Sequence, residues 1–394
     1  MDIVLSNSCK LLNDMDLNYR HIYWRLQSKY YKIWGYLLKW LPVNRKKIVF
    51  NNFRGHGYGD SPKYIAEEII RRKLPYDLVW LVDDMNMDFP PQIRKVSLQS
   101  IRPSYELSTA RMIISNVKVS LPYRKKKNQY YLQTWHGSVS FKAIEADAKD
   151  KLKPQYLKET MADSKLIDLF LSCNSIQTKE IQTCFWYNGE IFECGSPRND
   201  MLYKSKDYQL KLKSQIGISA GEKIVLYAPT FRDDHRTDVY NLNLNDLRDK
   251  LCDCFGGDWC VLVRLHPNIR EKLFTTTHGI IDATSYPDMQ ELLLVSDVLI
   301  TDYSSTIYDA AIMRKIILLY APDLDDYKEN RGLKPVYFNF PTRINRSNEE
   351  LLDYISHFDL NNYQNDLEDF LSGIQIFDDG NASKRVVDRI ESVL

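Results

Sequence analysis

The chain alternates short apolar runs with amphipathic stretches, and it runs through this pattern twice. Runs at 47–51, 77–82, 112–115, 130–134, 166–171 and 190–194 read as strands, with helices over 104–110 and 175–185. After Gly55, Gly57 and Gly59, Asp60 or Ser61 caps a further helix with Pro62 at its first position. A lysine-rich helix over 204–216 then interrupts, and the alternation restarts with strands at 223–227, 259–265, 279–281, 298–301 and 316–320. Helices fall over 243–254, 288–295 and 305–313, and the tail after Ser347 reads as helical. Apolar strands that alternate with helices make parallel sheets covered on both faces. The expected fold is therefore α/β, with two doubly wound, Rossmann-like domains over 46–205 and 206–394 that face a cleft. A chain of 394 residues suits two cores better than one.

The stretch before the first domain, 1–45, reads differently. From Leu17 to Gly59 there is no acidic residue, while Arg20, Arg25, Lys29, Lys32, Lys39, Arg45, Lys46, Lys47 and Arg54 all occur. Wound as a helix, it places Ile22, Leu26, Tyr30, Ile33, Leu37 and Leu41 on one face and Arg25, Lys29, Lys32 and Lys39 on another. Trp24, Trp34 and Trp40 lie between them. The pattern fits an amphipathic helix in the headgroup region of an anionic membrane, or one packed on its own domain with its basic face in water.

Bulk properties exclude several classes. A net charge of +1 carries no global signal for a polyanion, and the basic run 124–127 is too short to suggest nucleic acid. No signal peptide and no run of about 20 apolar residues appears, so a cytoplasmic location, peripheral to the inner face of the cell membrane, is expected. The seven cysteines include no C-x-x-C pair and read as reduced thiols, mostly in cores. No metal site is expected; Asp83-Asp84 after a strand reads as a solvated strand end.

Chemistry gathers at strand ends. Trp135-His136-Gly137-Ser138-Val139 follows one strand and Gly195-Ser196-Pro197-Arg198-Asn199-Asp200 another. In the second half, Ala228-Pro229-Thr230-Phe231-Arg232-Asp233, Arg264-Leu265-His266-Pro267 and Thr301-Asp302-Tyr303-Ser304-Ser305 do the same, the last opening a helix with Asp309. Asp378, Asp379, Gly380, Ala382, Ser383 and Arg385 begin the final helix. In doubly wound folds this edge binds ligands. Ser304 and Ser305 offer hydroxyls and a helix start to phosphate. Arg198 and Arg264 offer forked donors. His136, in a loop that Gly137 leaves open, is a candidate general base. No P-loop and no dinucleotide fingerprint is present, so the phosphate is held some other way.

These five strand-end motifs, in this order, resemble the CDP-glycerol glycerophosphotransferase family, which includes teichoic acid primases and polymerases. The likeness spans roughly 47–390. It implies a glycosyltransferase-B type fold that moves glycerol phosphate from CDP-glycerol to an acceptor hydroxyl and releases CMP. It implies His136 and His266 as catalytic residues, His136 as base on the acceptor and His266 with Arg264 on the donor phosphates. Arg198, Pro229, Thr230, Ser304, Ser305 and Asp309 become further donor contacts. Trp135, Gly137, Ser138, Val139 and Leu265 complete the substrate-binding set. The donor is the one small molecule required, with no cofactor, and the acceptor is a lipid-linked glycan or polyol phosphate, which gives the basic arm a membrane to meet.

Two departures bear on specificity. Ser138-Val139 stands where Thr-Pro is common, and Phe231 replaces a frequent Trp. CDP-ribitol as donor, an NDP-sugar glycosyltransferase and a donor-binding scaffold remain the alternatives. The length favours single addition over polymerisation.

Overall fold

The computed structural model describes residues 37–394, apart from 122, 233, 235, 267, 268, 270–273 and 275–277. The amphipathic arm expected over 1–45 thus lies mostly outside the described residues, as do Asp233 and Pro267 of the motifs.

The first sheet contains β1 (Asn44–Asn51), β2 (Asp77–Val82), β3 (Ile93–Ser97), β4 (Ala110–Ser115), β5 (Tyr130–Gln133), β6 (Leu169–Ser172) and β7 (Glu190–Glu193). The second contains β8 (Lys223–Tyr227), β9 (Trp259–Val263), β10 (Ile280–Asp282), β11 (Val298–Thr301), β12 (Ile316–Tyr320) and β13 (Ile344–Asn345). Strand order is 3-2-1-4-5-6-7 in one and 10-9-8-11-12-13 in the other, with parallel pairing throughout. Each order reverses beside its first strand, and that switch point opens a crevice at the strands' carboxyl ends.

The central strands are apolar on both faces because helices cover both: Ile48, Val49 and Phe50, like Val225 and Leu226, are wholly buried. Strand β3, Ile-Arg-Lys-Val-Ser, is absent from the sequence reading because it lies at the sheet edge and mixes charged with apolar residues. β13 is only two residues long and left no periodic signal.

Helices run between the strands. The first, α1 (Asp60–Arg71), starts earlier than its proline suggested. Gly59 precedes it, Pro62 sits at its third position, and Asp60 itself adopts φ 52. Next come α2 (Arg102–Thr109), α3 (Pro154–Ser164) and α4 (Ser175–Cys184), the last capped by the Asn174 side chain. The lysine-rich α5 (Lys206–Ile216) is capped by Ser205 and closed by Gly217 at φ 87. It leads into the second half, with α6 (Leu244–Phe255), α7 (Met289–Val295) and α8 (Thr306–Ile312). The helical tail ends in α11 (Asn348–Ser356), α12 (Leu360–Ser372) and α13 (Ala382–Val393), after the short α9 (Leu324–Arg331) and α10 (Pro335–Phe338).

The domain boundary needs one correction. The reading assigned everything after residue 206 to the second domain, but α13 returns to the first. Val386, Val387 and Ile390 are fully buried with Ile48, Phe50, Ile65 and Ile69. Asp200 caps the helix by accepting from the Ala382 and Ser383 N–H groups at 2.8 and 2.7 Å. Arg72, at the C-cap of α1, reaches Asp388 and Glu391. Local periodicity reports that a helix has an apolar face but not which sheet receives it. The halves also share a core, in which Tyr64, Phe141 and Cys173 of the first pack with Leu292, Tyr308 and Leu371 of the second.

Because α13 completes the first domain's core, Ile390→Ala should lower stability by about 2–5 kcal/mol. Hydrogen exchange checks this: amides of β1 and α1 should lose protection before those of β8 and β9.

Candidate active site

At the carboxyl end of β5 the chain turns sharply. Gln133 Oε1 accepts the Trp135 N–H at 3.0 Å, and Trp135 takes φ 55, the left-handed region that a bulky residue rarely adopts. This strained turn presents His136, half-buried, between the rings of Trp135 at 4.2 Å and Phe53 at 5.4 Å. His136 Nδ1 lies 2.7 Å from the Asn116 carbonyl oxygen. A carbonyl only accepts, so Nδ1 carries the proton, and in the neutral ring Nε2 keeps its lone pair. Asn116 follows β4 beside the switch point, and its side chain is fixed by the Asn52 side chain and the Phe53 N–H. Burial lowers the His136 pKa, partly offset by the Asn116 bond and by Asp60. The imidazole is therefore neutral at neutral pH, as a proton acceptor must be. Gly137 lets the second half come close: a Cβ there would stand 3.2 Å from Ser305 Oγ.

The facing wall comes from the second sheet. Arg264 extends the pairing past β9 by donating its N–H to the Tyr227 carbonyl at 2.9 Å. Its guanidinium Nη1 donates to the Tyr286 carbonyl at 2.6 Å. No carboxylate among the described residues lies within ion-pair distance of it. Burial accordingly lowers its pKa, and the more distant Asp288 compensates only in part. His266 lies tilted against the Phe231 ring at 4.8 Å, and its pKa is lowered by the partial loss of water around the ring and then by His56 and Arg264. Ser304 Oγ accepts from the Thr306 hydroxyl at 2.9 Å, and Ser305 stands at the N-cap of α8. Thr230 donates its N–H to Asp302 while its Oγ1 is buried without a partner. Pro229 lies beside it on the cavity wall.

Two expected ligands prove to be occupied. Arg198 was expected to offer an open fork to phosphate, but it is 4% exposed on the chamber wall and both its Nη groups face carboxylates, while Nε has no partner. Nη1 meets Asp60 at 3.1 Å, and Nη2 meets Asp309 and Ser138 Oγ at 3.0 Å. Asp309 is 1% exposed and accepts also from Ser138 at 2.7 Å, Gln290 at 3.1 Å and Asn199 at 3.3 Å. Ser138, Arg198 and Asp309 thus clamp the two halves together at the edge of the cleft. Val139 and Leu265 are buried and anchor the two histidine loops in the cores behind them.

Sequence reasoning missed several neighbours. Asp60 bonds Arg198 and raises the proton affinity of His136. Asp288 caps α7 and holds Lys63 at 2.6 Å and Tyr64 at 2.7 Å, another tie between halves. Burial works against the Lys63 charge, but Asp288 together with Glu67 and Glu291 outweighs it and raises its pKa. The Gly57-Tyr58-Gly59-Asp60 turn was the available signal.

The cleft has two chambers. The larger encloses about 1470 Å³ and the smaller about 470 Å³, and Trp135, His136, Arg264, His266, Met289 and Ser304–Thr306 line both. A pocket for one small molecule takes about 300–1,000 Å³, so there is room for two substrates to meet at the histidines. Among the described residues no cluster of three or more His, Cys, Asp or Glu is placed to hold a metal, and no helix is long and apolar enough to cross a membrane.

Two parallel sheets that meet across such a cleft, with a tautomer-fixed histidine opposite an uncompensated arginine, define a transferase of the glycosyltransferase-B type. The sequence model described as CDP-Glycerol:Poly(glycerophosphate) glycerophosphotransferase matches residues 36–392, and the chain belongs to that family. It is a glycerophosphotransferase. The teichoic acid poly(glycerol phosphate) polymerase of Bacillus spizizenii is 29% identical over 95% of this chain and 98% of its own length. The polymerase of the same description from Staphylococcus epidermidis is 31% identical over 88% of this chain but only 51% of its own. The wall teichoic acid polymerase TagF, in a histidine-to-asparagine variant soaked with CDPG, superposes with a TM-score of 0.78 at 29% identity, covering 89% of each chain.

The two arginines should separate in experiment. Arg198→Ala leaves Asp309 buried without its counter-charge and should cost about 3–5 kcal/mol of stability. Arg264→Ala should change stability by about 1 kcal/mol or less while weakening CDP-glycerol binding. Thermal unfolding and calorimetry on the two variants read this directly.

Proposed function

We propose that His136 is the general base of a transfer in which a hydroxyl of a lipid-linked or polymeric teichoic acid acceptor attacks the glycerol-bearing phosphorus of CDP-glycerol. The observation that carries this is the fixed tautomer of His136, with its unprotonated Nε2 on the cleft that Arg264 and His266 line from the other side. The acceptor oxygen forms a bond to phosphorus as the bond to CMP breaks. The hydroxyl proton passes to His136 Nε2, and CMP departs with its electron pair. Charge spreads over the phosphoryl oxygens in a loose transition state, so positioned donors do most of the work. Arg264 supplies a cation that burial has left uncompensated, and His266, Ser304 and Ser305 add donors beside it. Glycerol in preference to ribitol is part of this reading, and faster CMP release from CDP-ribitol than from CDP-glycerol would overturn that part.

The basic arm brings this site to an anionic membrane surface. Its described end supports the idea: Trp40 is 78% and Leu37 55% exposed, with the Lys39 ammonium 4.7 Å from the Trp40 ring centroid. A ring at the headgroup level beside a cation is what an interfacial anchor requires.

His136→Ala should slow CMP release by about 100-fold or more while CDP-glycerol still binds. In the intact enzyme kcat/KM should fall on the acid side, with an apparent pKa below the ordinary histidine value of 6.5 because burial favours the neutral ring. That limb should vanish in the variant. Removal of residues 1–42 should weaken binding to anionic liposomes, most at low salt; equal sedimentation with and without them would remove the membrane role.

A further inference from the structure

The larger chamber continues past His136 into the first half, along α3 and beyond Trp135 and Phe185, whose rings meet edge to face at 4.6 Å. Glu145, Tyr156 and Thr160 line this extension, and none belongs to a strand-end motif. Glu145 is 6% exposed and Thr160 7%. The Tyr156 hydroxyl donates to Glu145 Oε1 at 2.6 Å. Glu145 Oε2 has no hydrogen-bond partner, and neither has Thr160 Oγ1. Burial raises the Glu145 pKa, partly offset by Tyr156, by Lys118 and by the neighbouring Thr160. Buried polar atoms are nearly always satisfied, so a neighbouring carboxyl oxygen and hydroxyl that close no good hydrogen bond, on residues that line an open chamber, point to a ligand that completes them.

The backbone supports this. Glu145 adopts φ 46, and it shares the left-handed region with Phe53, Arg54, Asp60 and Trp135, all on the same chamber. Such strain persists where the surrounding fold holds a side chain in place, and it gathers at ligand sites.

The chemistry of the wall selects its occupant. A carboxyl with a free oxygen accepts from hydroxyl groups, and a threonine hydroxyl both donates and accepts. The same carboxyl repels the donor's anionic pyrophosphate, whose partners, the Arg264 cation and His266, stand on the opposite half. Trp135 and Phe185 add an apolar flank for the C–H face of a polyol or sugar.

We propose that Glu145, Tyr156 and Thr160 form an acceptor subsite, which holds the hydroxyl groups of the acceptor's terminal polyol or sugar unit while His136 acts on the attacking one. This rests on the transferase reading above. Glu145 and Thr160 bind hydroxyls directly, and Tyr156 orients the Glu145 carboxyl.

The test uses the full chain with CDP-glycerol as donor and a short glycerol phosphate oligomer as acceptor. Glu145→Gln and Thr160→Val should each raise the acceptor KM by about tenfold or more. CDP-glycerol affinity should stay at the wild-type value by calorimetry. Tyr156→Phe, which keeps the ring packing, should raise the acceptor KM less and leave donor affinity alone. An unchanged acceptor KM, or a donor affinity that falls in parallel, overturns the subsite. Oligomer binding measured without donor tells the two readings apart. A loss of binding confined to the variants supports the subsite whatever the turnover, and equal binding by all forms, or by none, overturns it. Failure of the wild type to release CMP from CDP-glycerol counts against the transferase reading alone.

Discussion

The buried pairing of Arg198 with Asp309 fixes where one half of the molecule stands against the other. Its energetics explain why it is built so completely. A guanidinium and a carboxylate taken out of water are costly unless their remaining hydrogen-bonding capacity is met. Asp60, Ser138, Asn199 and Gln290 largely meet it, from both sides of the cleft. The network reaches on to Asp378, which burial pushes up to about 7 even as it accepts the Ser196 N–H at 2.7 Å. Gly195, at φ 84, lets the chain pass close to the Phe377 carbonyl here, since a Cβ would stand 3.0 Å from that oxygen. The return of α13 to the first sheet follows directly, because Asp200, two residues from Arg198, caps it.

Three arginines in strand-end motifs show how surroundings decide a role. Arg198 and Arg232 are both compensated. Arg232 pairs with Asp302 and Asp323 and lies over the Tyr303 and Tyr327 rings, each 5.0 Å from its guanidinium carbon. Their charges hold structure together. Burial disfavours all three cations, but Arg264 has only a backbone carbonyl and a distant carboxylate to offset it, and its pKa alone of the three ends lowered. A ligand with phosphate charge would relieve that. The same contrast holds for histidines, since the Asn116 carbonyl commits His136 to one tautomer and so to proton acceptance.

Much of this was legible in the chain. The central strands could be read because a strand covered on both faces must be apolar throughout, and 223–227, 298–301 and 316–320 appear as read. β3 could not, since an edge strand tolerates charged residues, and Arg94 and Lys95 break its apolar run. The strand-end motifs marked the cleft because ligands in such folds meet the carboxyl edge. Glu145, Tyr156 and Thr160 were invisible: they lie on a 3-10 turn and a helix, 9 to 24 residues from His136, with no spacing that distinguishes them from surface polar residues.

The sequence alone determined the two α/β halves, the edge that carries chemistry and the family, because each rests on local order along the chain. Tertiary structure decided which of the candidate residues are available. Arg198 and Arg264 look alike in sequence, each in a polar strand-end motif. Only the fold places Asp60 and Asp309 against the first and leaves the second without a carboxylate, because charge compensation depends on neighbours in space, and residues 138 and 111 positions away along the chain supply it.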